Sequence, residues 1–130
     1  MVPNSVMREI EAGPKGDLAK SRLPEIDWAV VPQSFQSSET IIRYGLGRGE
    51  TDVLSIAYGV SDFTVLLDDF AARNAAKDLG IRYLGTGGLL VTAKRKLIID
   101  SFSNAMNSMI QSGLWISPEI LNTLREKAGE

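Results

Sequence analysis

The chain has 130 residues, a formal net charge of −2, and neither Cys nor His. That length allows a real core, and the charge balance offers no global basic field for nucleic acid. The missing residue types exclude disulfides, thiolate nucleophiles, cysteine zinc sites and an imidazole base.

Chemistry is therefore left to carboxylates, hydroxyls, Lys, Arg and Tyr. Carboxylates without His favour a hard cation such as Mg²⁺ or Mn²⁺. No stretch is long and apolar enough to span a membrane, and no secretory signal is visible. The expected location is the cytoplasm, and the expected organisation is one domain over residues 1–130.

Residues 3–12 read as a first helix, with Pro3 in its first turn and Val2, Val6 and Ile10 on one face. Gly13-Pro14 ends it. Residues 15–24 are polar and suit a short helix or a loop. A strand is expected at 26–31, stopped by Pro32, and a helix at 34–44. Gly45-Leu46-Gly47-Arg48-Gly49-Glu50 then enters a helix whose buried face is Val53, Leu54 and Ala57. This glycine run is not a nucleotide-binding fingerprint, because no G-x-G-x-x-G and no Gly-Lys-Ser/Thr is present. Glu50 near a helix start is either a complement to the helix dipole or part of a site.

Phe63-Thr64-Val65-Leu66-Leu67 suits a strand buried on both faces. It runs through Asp68 and Asp69 into a helix with alanines at helical spacing, closed by Leu79 and Gly80. Beyond the carboxyl end of a parallel strand is where ligands gather in α/β sheets. A lone Asp there is usually an N-cap, whereas two adjacent acids also suit a site. A strand is expected at 81–84, then Gly85-Thr86-Gly87-Gly88, with Thr86 as N-cap or as a hydroxyl facing the acids. The following helix carries Leu89, Leu90, Ala93 and Leu97, and Lys94-Arg95-Lys96 complements its dipole or meets phosphate. A further amphipathic helix carries Phe102, Ala105, Met106, Met109 and Ile110, stopped by Gly113. Ser117-Pro118 opens the last, with Ile120, Leu121 and Leu124 inward.

Several of these stretches together resemble one family. They are Leu46-Gly47-Arg48-Gly49-Glu50, Leu66-Leu67-Asp68-Asp69-Phe70-Ala71-Ala72-Arg73, Leu79-Gly80, and Gly85-Thr86-Gly87-Gly88-Leu89-Leu90 with Ala93-Lys94. The chain resembles the DUF3368 group of PIN-domain proteins from about Val2 to Glu130. The resemblance implies a three-layer α/β/α fold with a short parallel sheet and a Mg²⁺- or Mn²⁺-dependent endoribonuclease related to VapC-type toxins. Glu50 matches the family's helix acid, and Asp68, with Asp69 beside it, matches its later acidic position. In that chemistry carboxylates hold a cation whose bound water attacks a phosphodiester of RNA.

Members of the group carry a strand with an early Asp, then a helix, ahead of a segment resembling Val2-Pro3-Asn4-Ser5-Val6-Met7-Arg8-Glu9-Ile10. This sequence starts at that segment, so the first strand, its helix and its Asp are expected to be missing. Impaired catalysis follows, along with an apolar region in want of cover. A homodimer or an antitoxin-like protein partner would provide it. The alternative expectation is a non-catalytic PIN-like binding or dimerisation module.

Overall fold

The computed structural model describes residues 1–27, 29, 32 and 35–130. Its contacts gather into two compact units, Met1–Tyr83 and Leu84–Glu130. In chain order the elements are α1 (Asn4–Ala12), α2 (Leu18–Arg22), a 3₁₀ turn (Leu23–Glu25), α3 (Glu39–Ile42), α4 (Arg48–Ala57), β1 (Thr64–Leu66) and α5 (Phe70–Asp78). They continue as β2 (Arg82–Leu84), α6 (Thr86–Arg95), α7 (Phe102–Gln111) and α8 (Pro118–Ala128). Among the described residues this is an α/β fold, with eight helices and a parallel sheet of two strands, β1 and β2. No described helix is long and apolar enough to cross a membrane.

The first unit is held by α4, β1 and α5. Leu54 and Ala57 of α4 meet Val65 and Leu67, and α5 adds Ala72, Ala75 and Ala76, all three fully buried. Side chains this small let the α5 backbone approach closely, and Ile41 and Ile81 fill the remaining space. Asp69 caps α5 by accepting the Ala72 N–H at 2.8 Å. Gly80, at φ 67°, turns the chain toward β2 where a Cβ would be strained.

β1 differs from the doubly buried strand expected. Its side chains alternate, Val65 inward and Thr64 and Leu66 outward, with Leu66 53% exposed. One face packs on the α4/α5 core, while Leu66 lines an open cleft with Met1, Val2 and Val6. The helix expected at 34–44 is a single turn at Glu39–Ile42. The strand expected at 26–31 falls on Trp28, Val30 and Val31, which lie outside the described residues.

The second unit has its own core of Val91, Phe102, Met106 and Ala128, bordered by Leu90, Leu121 and Leu124. The inward residue of α6 is Val91, whereas Leu89 and Leu97 are exposed. Leu97 falls past the helix end in a left-handed conformation, φ 58°, and so leaves the apolar face. Gly85, not Thr86, holds the N-cap position of α6. On α7 the face expected from the spacing is buried at Phe102 and Met106, but Met109 and Ile110 are exposed. Gly87 presses against α8, and a Cβ there would come within 2.5 Å of Leu124 Cδ1.

One carboxylate closes this unit. Glu130 accepts the N–H groups of Phe102 and Ser103, each at 2.8 Å, at the start of α7. Lys94 of α6 stands 3.7 Å from the same carboxylate. Hydrogen bonds from Ser103, then from the Phe102 N–H and the Lys94 charge, outweigh partial desolvation and hold the Glu130 pKa at about 2. A carboxyl depressed below its ordinary value stabilises the fold above that ordinary value and stops doing so once protonated. Stability is therefore expected to fall as pH drops from about 4.5 toward about 2. Thermal melts followed by circular dichroism across that range should show the loss, and Glu130→Gln should remove that part of the pH dependence.

Candidate functional site

α4 begins where three glycines let the chain turn inward. Gly45 takes φ 66°, and Gly47 is the N-cap of α4 with no side-chain cap of its own. The first N–H groups of a helix need acceptors from elsewhere. Gly49 N–H finds one in Glu9, forty residues back on α1, at 3.1 Å from its Oε1. The second carboxylate is that of Glu50 in the first turn.

The glycines explain how both acids fit. A Cβ on Gly49 would lie 2.7 Å from Glu9 Oε2, and a Cβ on Gly47 would collide with Glu50 Oε2. The space left by two missing methyl groups thus holds two carboxylates at one helix N-terminus, where the dipole favours negative charge. Glu9 was not among the acids singled out from sequence. Its only signal there is its place in Val6-Met7-Arg8-Glu9-Ile10, since an exposed acid on a helix is ordinarily solvated surface.

Asp68 and Asp69 stand together at the β1–α5 junction, both exposed. Their parts differ. Asp69 is an N-cap, its carboxylate committed to the Ala72 N–H. The Asp68 carbonyl accepts from Arg73 Nη2 at 2.5 Å, which folds that side chain back over the junction. A fifth acid, Asp52, is buried inside α4 and accepts the Ser37 hydroxyl at 2.7 Å. That bond, with Ser38 N–H to Ser55 Oγ at 2.9 Å, fastens the preceding loop to α4.

Among the described residues no group of three or more Asp or Glu stands close enough to hold a metal ion. Glu50, Asp68 and Asp69 are thus not gathered into one such group. A hard cation wants six or more oxygens, several of them charged or from water. The described side chains fall short of a complete site for one.

A family model described as a PIN domain matches residues 1–130. The chain belongs to the DUF3368 family of PIN domains. No curated protein and no solved structure matches it. PIN domains generally use divalent metals, and membership supports a nuclease-like role in general. Within this PIN domain Glu9 and Glu50 both come to the start of α4, while Asp68 and Asp69 stand at the β1–α5 junction.

The capping role of Asp69 can be separated from any ligand role. Losing an N-cap carboxylate costs about 0.5–2 kcal/mol. Asp69→Ala should therefore lower stability by about 1 kcal/mol in urea titrations, whereas Asp69→Ser, a good cap, should restore most of it. An Asp69→Ala protein as stable as the parent would remove the cap from the account of α5.

Proposed function

We propose that this PIN domain is a metal-dependent endoribonuclease of the toxin-antitoxin kind, acting on RNA in the cytoplasm, with impaired catalysis when alone. The observation that carries the reading is the pair of carboxylates, Glu9 and Glu50, at one glycine-cleared helix N-terminus, in a family that generally uses divalent metals. In this reading Glu50, Asp68 and Asp69, with Glu9, would supply carboxylates to Mg²⁺ or Mn²⁺, although no three of them are gathered into one group among the described residues. The same geometry would impair catalysis, because carboxylates not gathered in threes bind a hard cation weakly.

Calorimetric titration with Mn²⁺ should show weak binding that Glu50→Gln and Asp68→Asn abolish. Purified protein with Mg²⁺ should cut single-stranded RNA slowly or not at all. Robust cleavage lost in Glu50→Gln would instead establish a fully competent enzyme. No Mn²⁺ binding at all would take the metal, and the nuclease with it, out of the account.

A second reading, a non-catalytic module that pairs with another copy, is favoured by the apolar cleft of about 400 Å³ in the first unit. Val2, Val6, Ile56, Phe63 and Leu66 line it beside β1, whose one described strand partner is β2. Apolar surface beside a strand is a common seat for association. A homodimer through this face should appear in sedimentation equilibrium at micromolar concentration, and Leu66→Glu should shift it toward monomer. A monomeric parent protein would rule out the pairing, leaving an antitoxin-like partner as the occupant to test.

A further inference from the structure

The first unit holds a second cleft, of about 280 Å³, next to the two carboxylates and lined by Ser5, Arg8, Glu9, Ala12 and Arg48. Ser5 and Ala12 each lie three or four residues from both Arg8 and Glu9, so the four share one side of α1. Arg48 is the first residue of α4 and closes the cleft from the other side.

Three features of this cleft lack an internal explanation. The Ser5 hydroxyl is buried, with the residue 8% exposed, and has no hydrogen-bond partner among the described residues. Buried hydroxyls are ordinarily satisfied, so an unpartnered one on a residue of the cleft wall marks a place for a ligand atom. Arg8 and Arg48 make no ion pair among the described residues, although Glu9 lines the same cleft. Arg48 also stands at the positive end of the α4 dipole, where a cation is disfavoured.

We propose that Ser5, Arg8 and Arg48 form a subsite for a backbone phosphate of single-stranded RNA, beside the Glu9 and Glu50 carboxylates. The subsite rests on the RNA-directed reading above but needs neither metal nor cleavage. Guanidinium forks match phosphate oxygens in geometry and charge, and the Ser5 hydroxyl supplies a third donor from the cleft wall. The two cations outnumber Glu9, whose charge is already met in part by the Gly49 N–H. A phosphate seated here would position the strand against the acids without reading its bases.

Binding is measured in EDTA, so that it is read apart from catalysis, by fluorescence anisotropy of a short labelled oligouridylate over a range of salt. Arg8→Gln and Arg48→Gln should each weaken binding about threefold to tenfold and lower the salt slope by about 0.7. Ser5→Ala should weaken it without changing the slope. Lys77→Gln, which removes a cation outside the cleft, should leave binding near that of the parent. Arg48→Lys covers the case in which the Gln variant misfolds, and should keep the slope while losing affinity, because a lysine lacks the fork.

Inorganic phosphate is titrated in parallel, observed through the amide resonances of Ser5 and Arg8. It should compete with the oligonucleotide weakly and at the same residues. Parental RNA affinity in both arginine variants overturns the proposal, as does an equal loss in Lys77→Gln. Phosphate binding at Ser5 with no arginine effect on RNA overturns it too, since the ligand would then be a free anion. Absence of Mn²⁺ binding while RNA binding in EDTA follows this pattern would count against the nuclease reading alone.

Discussion

The hydrogen bond from Gly49 N–H to Glu9 governs what the first unit can do. It joins α1 to α4 across forty residues of chain, in space that a Cβ at position 49 would share with the Glu9 carboxylate. The same α4 carries Leu54 and Ala57 into the core against Val65 and Leu67. The core therefore fixes α4, and α4 fixes where the carboxylate of Glu9 and the guanidinium of Arg48 are held. Function and packing share one helix, with its apolar face inward and its N-terminus offered to the cleft.

Much of this was legible in the chain because it rests on local chemistry. Alanines at helical spacing before Leu79-Gly80 predict α5, and the structure buries Ala72, Ala75 and Ala76 as that spacing requires. Ser117-Pro118 and Gly129 bracket α8 as cap, first-turn proline and left-handed stop. The acids after β1 were visible for the same reason, since a strand, two carboxylates and a helix start form a local pattern.

What escaped reading is whatever depends on distant partners. Glu9 carries no local signal, and its role arises from a neighbour forty residues away. Leu66 reads as buried because its neighbours are apolar, yet whether the outward face of a strand is covered depends on elements the local sequence does not specify. Asp69 shows the converse. The site reading and the cap reading predict the same residue at the same place, and only the Ala72 N–H at 2.8 Å shows that it caps.

The two units place charge at helix starts in opposite ways. Glu130 brings a carboxylate to the N-terminus of α7, where dipole, N–H donors and Lys94 all favour it. Arg48 puts a cation at the N-terminus of α4, against the dipole and with no ion pair among the described residues to compensate. A fold shaped for stability alone would place an acid or a neutral cap there. Sequences are locally consistent except where function requires otherwise. By that criterion the Glu130 cluster is a clasp, and the start of α4, with its two cleared carboxylates and its misplaced arginine, is a surface built to receive something.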